Sequence, residues 1–329
     1  MVLDKAFPVE QSPLVLRDVA TPLPNPGEVR VRVHVCGLCH TDLHTVEGDL
    51  APHKRPVIPG HQIVGVIDAL GSGVTIHKEG DRIGIAWLRS TDGSCEYCGR
   101  GLENLCVNGR FTGYDVDGGY AEYTLVPADF CYPISSAFDD EHAAPLLCAG
   151  IIGYRSYRLT GIRPGENLGL YGFGASAHLV IQLARHQKFN VFVFTRSEEH
   201  RAHARELGSA WTGRAEDTPP ELMHAAIIFA PAGILVRESL RVLRKGGTLA
   251  LAGITMSQIP PLDYELLYHE KVIRSVANAT RQDGHEFLQL AGEVRLKTEI
   301  EVFDLAEANH ALQKLKKSEI RGAGVLRVL

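Results

Sequence analysis

The chain has 329 residues, of which 45% are hydrophobic, and its formal net charge is -5 at neutral pH. That length suits two domains, and the acidic balance argues against nucleic acid or an anionic membrane as the main partner. No apolar run approaches the ~20 residues that span a bilayer and the N-terminus lacks a signal-peptide pattern, so we expect a cytoplasmic protein.

The residue pattern of the first 149 residues is typical of a β-rich domain, which we expect to be an irregular all-β barrel. Valines in residues 29–35 alternate with arginine and histidine, as is typical of a half-buried strand. Further short strands are predicted at 63–67, 81–85 and 120–126.

From about residue 150 strands and helices alternate, which predicts a doubly wound parallel sheet with right-handed crossovers. Strands are expected at 167–171, 191–195, 225–230 and 248–253, and helices at 176–186, 198–207 and 235–243. From about residue 280 the pattern changes again, and the chain is predicted to end in a helix at 305–317 and a strand at 325–329. The residue pattern alone leaves open whether this C-terminal segment packs against the first domain.

A glycine-rich turn between the first of these strands and its helix predicts a dinucleotide site. Gly172 permits a tight turn, Gly174 lets the backbone approach a pyrophosphate, and Ala177 allows the helix to pack closely on the strand. The free N–H groups of the helix N-terminus would face the phosphates. The predicted cofactor contacts are Gly172, Gly174, Ala175, Ser176 and Ala177.

The end of the second strand bears on the choice between NAD and NADP. An NAD-binding protein usually places a carboxylate there for the ribose hydroxyls, but this chain has Thr195 followed by Arg196. Arg196 could pair with a 2′-phosphate, which favours NADP(H). The alternative is that Arg196 is a solvated loop residue.

A cysteine-rich loop indicates a first zinc site. Cys95, Cys98 and Cys106 supply three of the four ligands that tetrahedral zinc needs, and Asp92 repeats the spacing of the next pair. The carboxylate of Asp92 could complete the set. The alternative is that Asp92 is a turn residue and the site is weakened or empty.

A second candidate set is spread along the chain, and none of its members is specific alone. Cys39, His61 and Cys148 together supply two thiolates and one imidazole. A Cys₂His set leaves one position of tetrahedral zinc open, as in catalytic sites. Of the seven cysteines, Cys36 and Cys131 fall in neither set and are interpreted as small buried hydrophobes.

Read in chain order, these motifs resemble the zinc-dependent medium-chain alcohol dehydrogenase family over nearly the whole chain. The order is C-H-T-D-x-x-H from Cys39, G-H at His61, the cysteine loop, L-C-A-G around Cys148, and G-x-G. The resemblance implies a GroES-like catalytic domain (1–149 and 280–329), an inserted Rossmann domain (150–279), and an active site in the cleft between them. It also implies hydride transfer between an alcohol or aldehyde and NAD(P)(H), zinc at both sets, and a homodimer or homotetramer.

The resemblance assigns roles to five further residues. Thr41 would contact the reacting alcohol, and His44 would be the outer end of a proton relay. Asp42 would orient the liganding histidine, which has a clear physical basis. His40 would contact cofactor phosphate, and Trp87 would line the substrate pocket.

Three positions depart from the family pattern. Asp92 stands where the family usually has cysteine, so we expect a retained but more labile zinc site. Gln62 stands where the family usually has glutamate beside the catalytic histidine, and we hypothesise altered ligand exchange at the metal because the amide adds no charge. Ala323 follows Gly322 where the family often has arginine.

Two other functions fit parts of the sequence. A zinc-free quinone or enone reductase would share the two-domain architecture, but it has no need of the Cys39, His61 and Cys148 set. A non-catalytic NADP(H) sensor is suggested by the departures at Gln62 and Asp92.

Overall fold

The computed structural model describes residues 1–329, and the chain divides into two compact units. The first comprises Met1–Ile151 with Asn278–Leu329, and the second comprises Ile152–Ala277. No helix is long and apolar enough to cross a bilayer.

Seventeen strands and ten α-helices make up the two units. The strands are β1 Val2–Leu3, β2 Leu14–Val15, β3 Glu28–Gly37, β4 Gln62–Leu70, β5 Arg82–Ile85, β6 Leu88–Ser90, β7 Arg110–Phe111, β8 Tyr123–Pro127, β9 Cys131–Pro133, β10 Asn167–Tyr171, β11 Asn190–Phe194, β12 Trp211–Gly213, β13 Met223–Ile228, β14 Leu243–Leu251, β15 Val272–Ser275, β16 Ile300–Asp304 and β17 Ala323–Arg327. The helices are α1 His40–Glu47, α2 Glu96–Gly99, α3 Asp140–Ala143, α4 Ala149–Thr160, α5 Ala175–His186, α6 Glu198–Glu206, α7 Ile234–Arg241, α8 Tyr264–Leu267, α9 Arg281–Val294 and α10 Ala308–Lys316. Short 3₁₀ helices lie at Val9–Gln11, Glu103–Leu105, Ala128–Phe130, Ala144–Leu147 and Leu305–Glu307.

The first unit is built on a seven-stranded sheet with the order β16-β17-β3-β4-β5-β9, and β8 also pairs with β3. The valines of β3 are buried as the alternation predicted, and they lie in the core of this unit. The C-terminal tail returns to this sheet, because β17 pairs antiparallel with β3.

Residues 1–149 are β-rich as predicted but not all-β, because helix α1 and the short helices α2 and α3 lie among their strands. Helix α1 forms because Cys39 caps its N-terminus and Asp42 accepts the backbone N–H of Cys39 in return. The strand predicted at 120–126 starts only at Tyr123, since the N–H of Tyr120 donates to the carbonyl of Pro59 instead. The last helix also starts late, at Ala308, after one 3₁₀ turn.

The second unit has the predicted doubly wound parallel sheet. Its six strands follow the order β12-β11-β10-β13-β14-β15, and every neighbouring pair is parallel. The direction of winding changes between β10 and β13, and ligands of such sheets bind beyond the carboxyl ends of the strands at that point. The Gly172 turn follows β10 at this place.

Candidate active site and metal centres

Cys39, His61 and Cys148, far apart in sequence, meet in the first unit. Their ligand atoms all lie within 4.8 Å of one another. The two sulfurs are 3.7 Å apart. His61 is fully buried, whereas both cysteines are partly accessible.

Each of these three residues lies where regular structure begins or ends. Cys39 precedes α1, and Cys148 lies between the 3₁₀ helix Ala144–Leu147 and α4. His61 precedes β4 and follows Gly60, whose φ of +97° suits glycine. Such positions free a side chain from the pattern of a helix or strand and let it point toward a shared centre.

The orientation of His61 is fixed by a buried carboxylate. Its Nδ1 lies 2.8 Å from Oδ1 of Asp42, which is only 2% exposed, and Oδ2 of Asp42 accepts the N–H of Cys39. If Nδ1 donates to Asp42, the lone pair of Nε2 points away from the carboxylate. Nε2 is buried and has no hydrogen-bond partner. A buried polar atom without a partner is uncommon, and a metal ion held with the two sulfurs would satisfy Nε2.

The electrostatics of this set reflect its burial. Burial raises the pKa of Asp42. Burial alone would lower the pKa of His61, but the Asp42 carboxylate and the Cys39 sulfur raise it to about 10. A hydrogen bond from Cys148 holds the pKa of Cys39 well below its usual value, so one thiolate is favoured in the pair. A cation at Nε2 and the sulfurs would take the place of the proton that His61 otherwise holds.

Helix α1 places the other predicted residues of its motif. The hydroxyl of Thr41 lies 3.6 Å from the Cys39 sulfur, and Thr41 is buried. His44 is partly exposed and its Nδ1 lies 3.0 Å from the carboxylate of Asp49. His40 is exposed.

Trp87 and Gln62 lie beside the liganding histidine. The ring of Trp87 stands edge-on to that of His61, with centroids 4.9 Å apart, and it stacks on Phe111 at 5.2 Å. Tyr114 packs against Trp87 at 5.8 Å. Gln62 is 3% exposed, and a carboxylate in its place would be a buried charge.

The cysteine-rich loop brings together the second predicted set. One ligand atom from each of Asp92, Cys95, Cys98 and Cys106 lies within 4.8 Å of the others. Backbone N–H groups of Cys95 and Ser94 donate to Asp92 and lower its pKa, so its carboxylate is ionised. Partial desolvation, together with hydrogen bonds to Cys95 and Cys106, raises the pKa of Cys98 to about 12. The arrangement can hold a metal with three sulfur ligands and one oxygen ligand.

The glycine-rich turn of the second unit suits a pyrophosphate. Gly172 has φ +86°, and its N–H donates to the carbonyl of Phe194 at the end of β11. Gly174 caps α5, and a Cβ there would meet nothing within 4 Å, so the space above it is open. Ala175 and Ser176 begin α5, while Ala177 is fully buried against the sheet.

The end of β11 presents Arg196 to solvent. Thr195 is 9% exposed, whereas Arg196 is exposed and its guanidinium forms no ion pair. Arg201, which was not predicted from the sequence, donates to the carbonyls of Thr195 and Arg196 at 2.7 and 3.1 Å. It follows the cap residue Ser197 by one helical turn, which is the signal that could have identified it.

A Cys₂His set in one unit and a doubly wound sheet with a glycine-rich turn in the other define a class, the metal-dependent dehydrogenases. Residues 25–136 match the alcohol dehydrogenase GroES-like domain family, and residues 177–293 match the zinc-binding dehydrogenase family. A Mycobacterium tuberculosis (strain CDC 1551 / Oshkosh) protein described as a probable alcohol dehydrogenase is 47% identical over 327 residues, which cover 98% of this chain and 94% of that protein.

Solved structures agree with these matches. A cinnamyl alcohol dehydrogenase from Sorghum bicolor superimposes with a TM-score of 0.89 at 27% identity, covering 98% of this chain and 96% of its own. A cobalt- and zinc-bound thermostable alcohol dehydrogenase from Pyrobaculum aerophilum gives a TM-score of 0.88 at 25% identity, covering 99% and 98%. The chain belongs to the zinc-dependent medium-chain alcohol dehydrogenase family, and it is an oxidoreductase whose cofactors are zinc and a nicotinamide dinucleotide.

Proposed function

We propose that this chain interconverts alcohols and aldehydes, with a zinc ion held by Cys39, His61 and Cys148. The observation that carries the proposal is Nε2 of His61, a buried atom without a hydrogen-bond partner that lies within 4.8 Å of two cysteine sulfurs. Two thiolates and one imidazole suit zinc and leave its fourth position for a substrate. When bound, zinc would polarise the substrate oxygen and the nicotinamide would exchange hydride with the substrate carbon.

The residues around this set would move the proton and keep the geometry. Thr41, beside the Cys39 sulfur, would hydrogen-bond the substrate hydroxyl and take its proton toward His44. His44 is partly exposed, so it can pass a proton to water. Asp42 would hold His61 in the tautomer that leaves Nε2 free to bind metal. Trp87 would form a wall of the substrate site next to His61.

The finer assignments belong to the same proposal. Residues 1–149 with 280–329 would be the catalytic domain and 150–279 the cofactor domain, and Asp92, Cys95, Cys98 and Cys106 would hold a second, structural zinc. Reduced thiols at both sets favour the cytoplasm. His40 would meet cofactor phosphate, and the protein would act as a homo-oligomer.

The test of this function is oxidation of NADPH, with NADH in parallel, on addition of a panel of aliphatic and aromatic aldehydes. We expect aldehyde-dependent oxidation that a zinc chelator abolishes and that added zinc restores. Turnover of quinones or enones that is insensitive to chelation would favour a zinc-free reductase. Zinc-free protein that binds NADPH tightly without any turnover would favour a sensor.

We further propose that Arg196 gives the enzyme a preference for NADP(H). The exposed, unpaired guanidinium just after β11 would bind the 2′-phosphate. Position 195, where NAD-binding proteins usually have a carboxylate, is threonine here, so no negative charge repels the phosphate. A hydrogen bond to a charged group contributes about 1.5 kcal/mol. Arg196→Ala should therefore raise the KM for NADPH about tenfold and leave the KM for NADH unchanged.

A matched control is Arg237→Ala, which removes another exposed arginine of the second unit, on helix α7. It should change neither Michaelis constant. No effect on either Michaelis constant would show that Arg196 is a solvated loop residue, and equal effects on both would show that it does not recognise the 2′-phosphate.

A further inference from the structure

The carboxylate of Asp92 has its two oxygens in different environments. Oδ1 accepts the backbone N–H groups of Ser94 and Cys95, both at 2.9 Å. Oδ2 accepts one hydrogen bond, from Nδ2 of Asn108 at 2.9 Å. Since a carboxylate offers about four lone-pair positions in total, Oδ1 is saturated while Oδ2 keeps one free position.

Asn108 reaches Asp92 from the same turn that presents a sulfur. The N–H of Gly109 donates to the carbonyl of Cys106 at 3.1 Å, which closes the turn around Asn108. The N–H of Asp92 donates to the Cys106 sulfur at 3.3 Å. One turn therefore fixes both the Cys106 thiol and the amide that restrains the carboxylate.

The donor at Oδ2 is a neutral amide, which matters for metal binding. An arginine or lysine would neutralise the carboxylate and compete with a cation for it. An amide N–H restrains the carboxyl group, whose terminal torsion is otherwise broad, and leaves its negative charge for the metal. Hydrogen bonds to ligating carboxylates commonly serve this purpose.

We infer that Asp92 binds the structural zinc through Oδ2 alone and that Asn108 is the positioning residue that makes this carboxylate an effective fourth ligand. The inference rests on the proposed structural zinc at Asp92, Cys95, Cys98 and Cys106. It gives a position outside the four ligands a role in the stability of the metal centre.

The test compares zinc release from the full-length protein to a chromophoric chelator, with and without the Asn108→Ala substitution. Release from this set should become about tenfold faster, the lower end of the range for residues that support metal ligands. The decisive control is the same substitution in an Asp92→Cys protein, where a fourth thiolate replaces the carboxylate. There Asn108 has no ligand to position, and Asn108→Ala should leave the release rate unchanged.

The outcomes separate a positioning role from a general role in the loop. Faster release in both backgrounds would mean that Asn108 only supports the fold of the loop, and unchanged release in both would mean that it has no part in metal binding. Either result overturns the inference. The Cys148→Ala protein lacks one thiolate of the other set. Native mass spectrometry of this variant therefore shows which part of the zinc release comes from the set that contains Asp92.

A spectroscopic measurement gives a second, independent check. The cadmium NMR signal of cadmium-substituted protein should shift on Asn108→Ala in the Asp92 protein and stay in place in the Asp92→Cys protein. Failure of the proposed function would appear as absent aldehyde turnover in the unsubstituted enzyme. That failure would leave the zinc-release comparison intact.

Discussion

Replacing Asp42 with alanine should lower the zinc affinity of the Cys39, His61 and Cys148 set by about tenfold to a hundredfold. The substitution removes the buried carboxylate that accepts hydrogen bonds from His61 Nδ1 and from the Cys39 N–H. The imidazole can then adopt the other tautomer, with its proton on Nε2, where it cannot bind metal. Aldehyde reduction should fall in parallel, and added zinc should restore part of it.

The measurement is a competition titration of zinc against a chelator, followed by kcat at saturating zinc. The matched control is Asp139→Ala, which removes the carboxylate of an exposed aspartate–histidine pair formed with His142. That control should keep its zinc. If Asp42→Ala bound zinc as tightly as the unsubstituted protein, the carboxylate would not be orienting His61.

Sequence patterns were sufficient where a periodicity or a glycine requirement determines the backbone. The alternation in 29–35 identified β3, and the glycine-rich turn identified the passage from β10 to α5. Spacing within the cysteine loop likewise grouped Asp92 with three cysteines that the structure brings together. In each case the interacting residues are near neighbours in sequence, so local rules apply.

The sequence was less informative where partners come from distant segments or where a cap has an unusual composition. Helix α1 was not predicted because its capping box uses a cysteine and an aspartate in place of the usual serine or threonine with glutamate. The aromatic contacts of Trp87 with Phe111 and Tyr114 depend on the pairing of β6 with β7. The hydrogen bond from Asn108 to Asp92 spans 16 residues of an irregular loop, and no residue pattern predicts it.

The placement of His61 also depends on its neighbour, so Gly60→Ala should strongly destabilise the first unit. Gly60 has φ +97°, and an alanine Cβ would lie 2.4 Å from the Tyr120 ring and 2.8 Å from the Cys36 sulfur. Both neighbours are fully buried, so they have little free space into which to move. Left-handed strain costs about 1–2 kcal/mol and overpacking about 1–3 kcal/mol, so we expect a loss of about 2–5 kcal/mol.

Gly73→Ala separates these two costs. Gly73 has φ +82°, but a Cβ there would meet nothing within 4 Å, so only backbone strain of about 1–2 kcal/mol is expected. Thermal unfolding of the two variants beside the unsubstituted protein should give the lower Tm for Gly60→Ala, together with loss of zinc from the set that includes His61. Equal Tm values would mean that Tyr120 and Cys36 can yield. Glycine would then be needed before the histidine only for its backbone conformation, because the steric contact would add nothing.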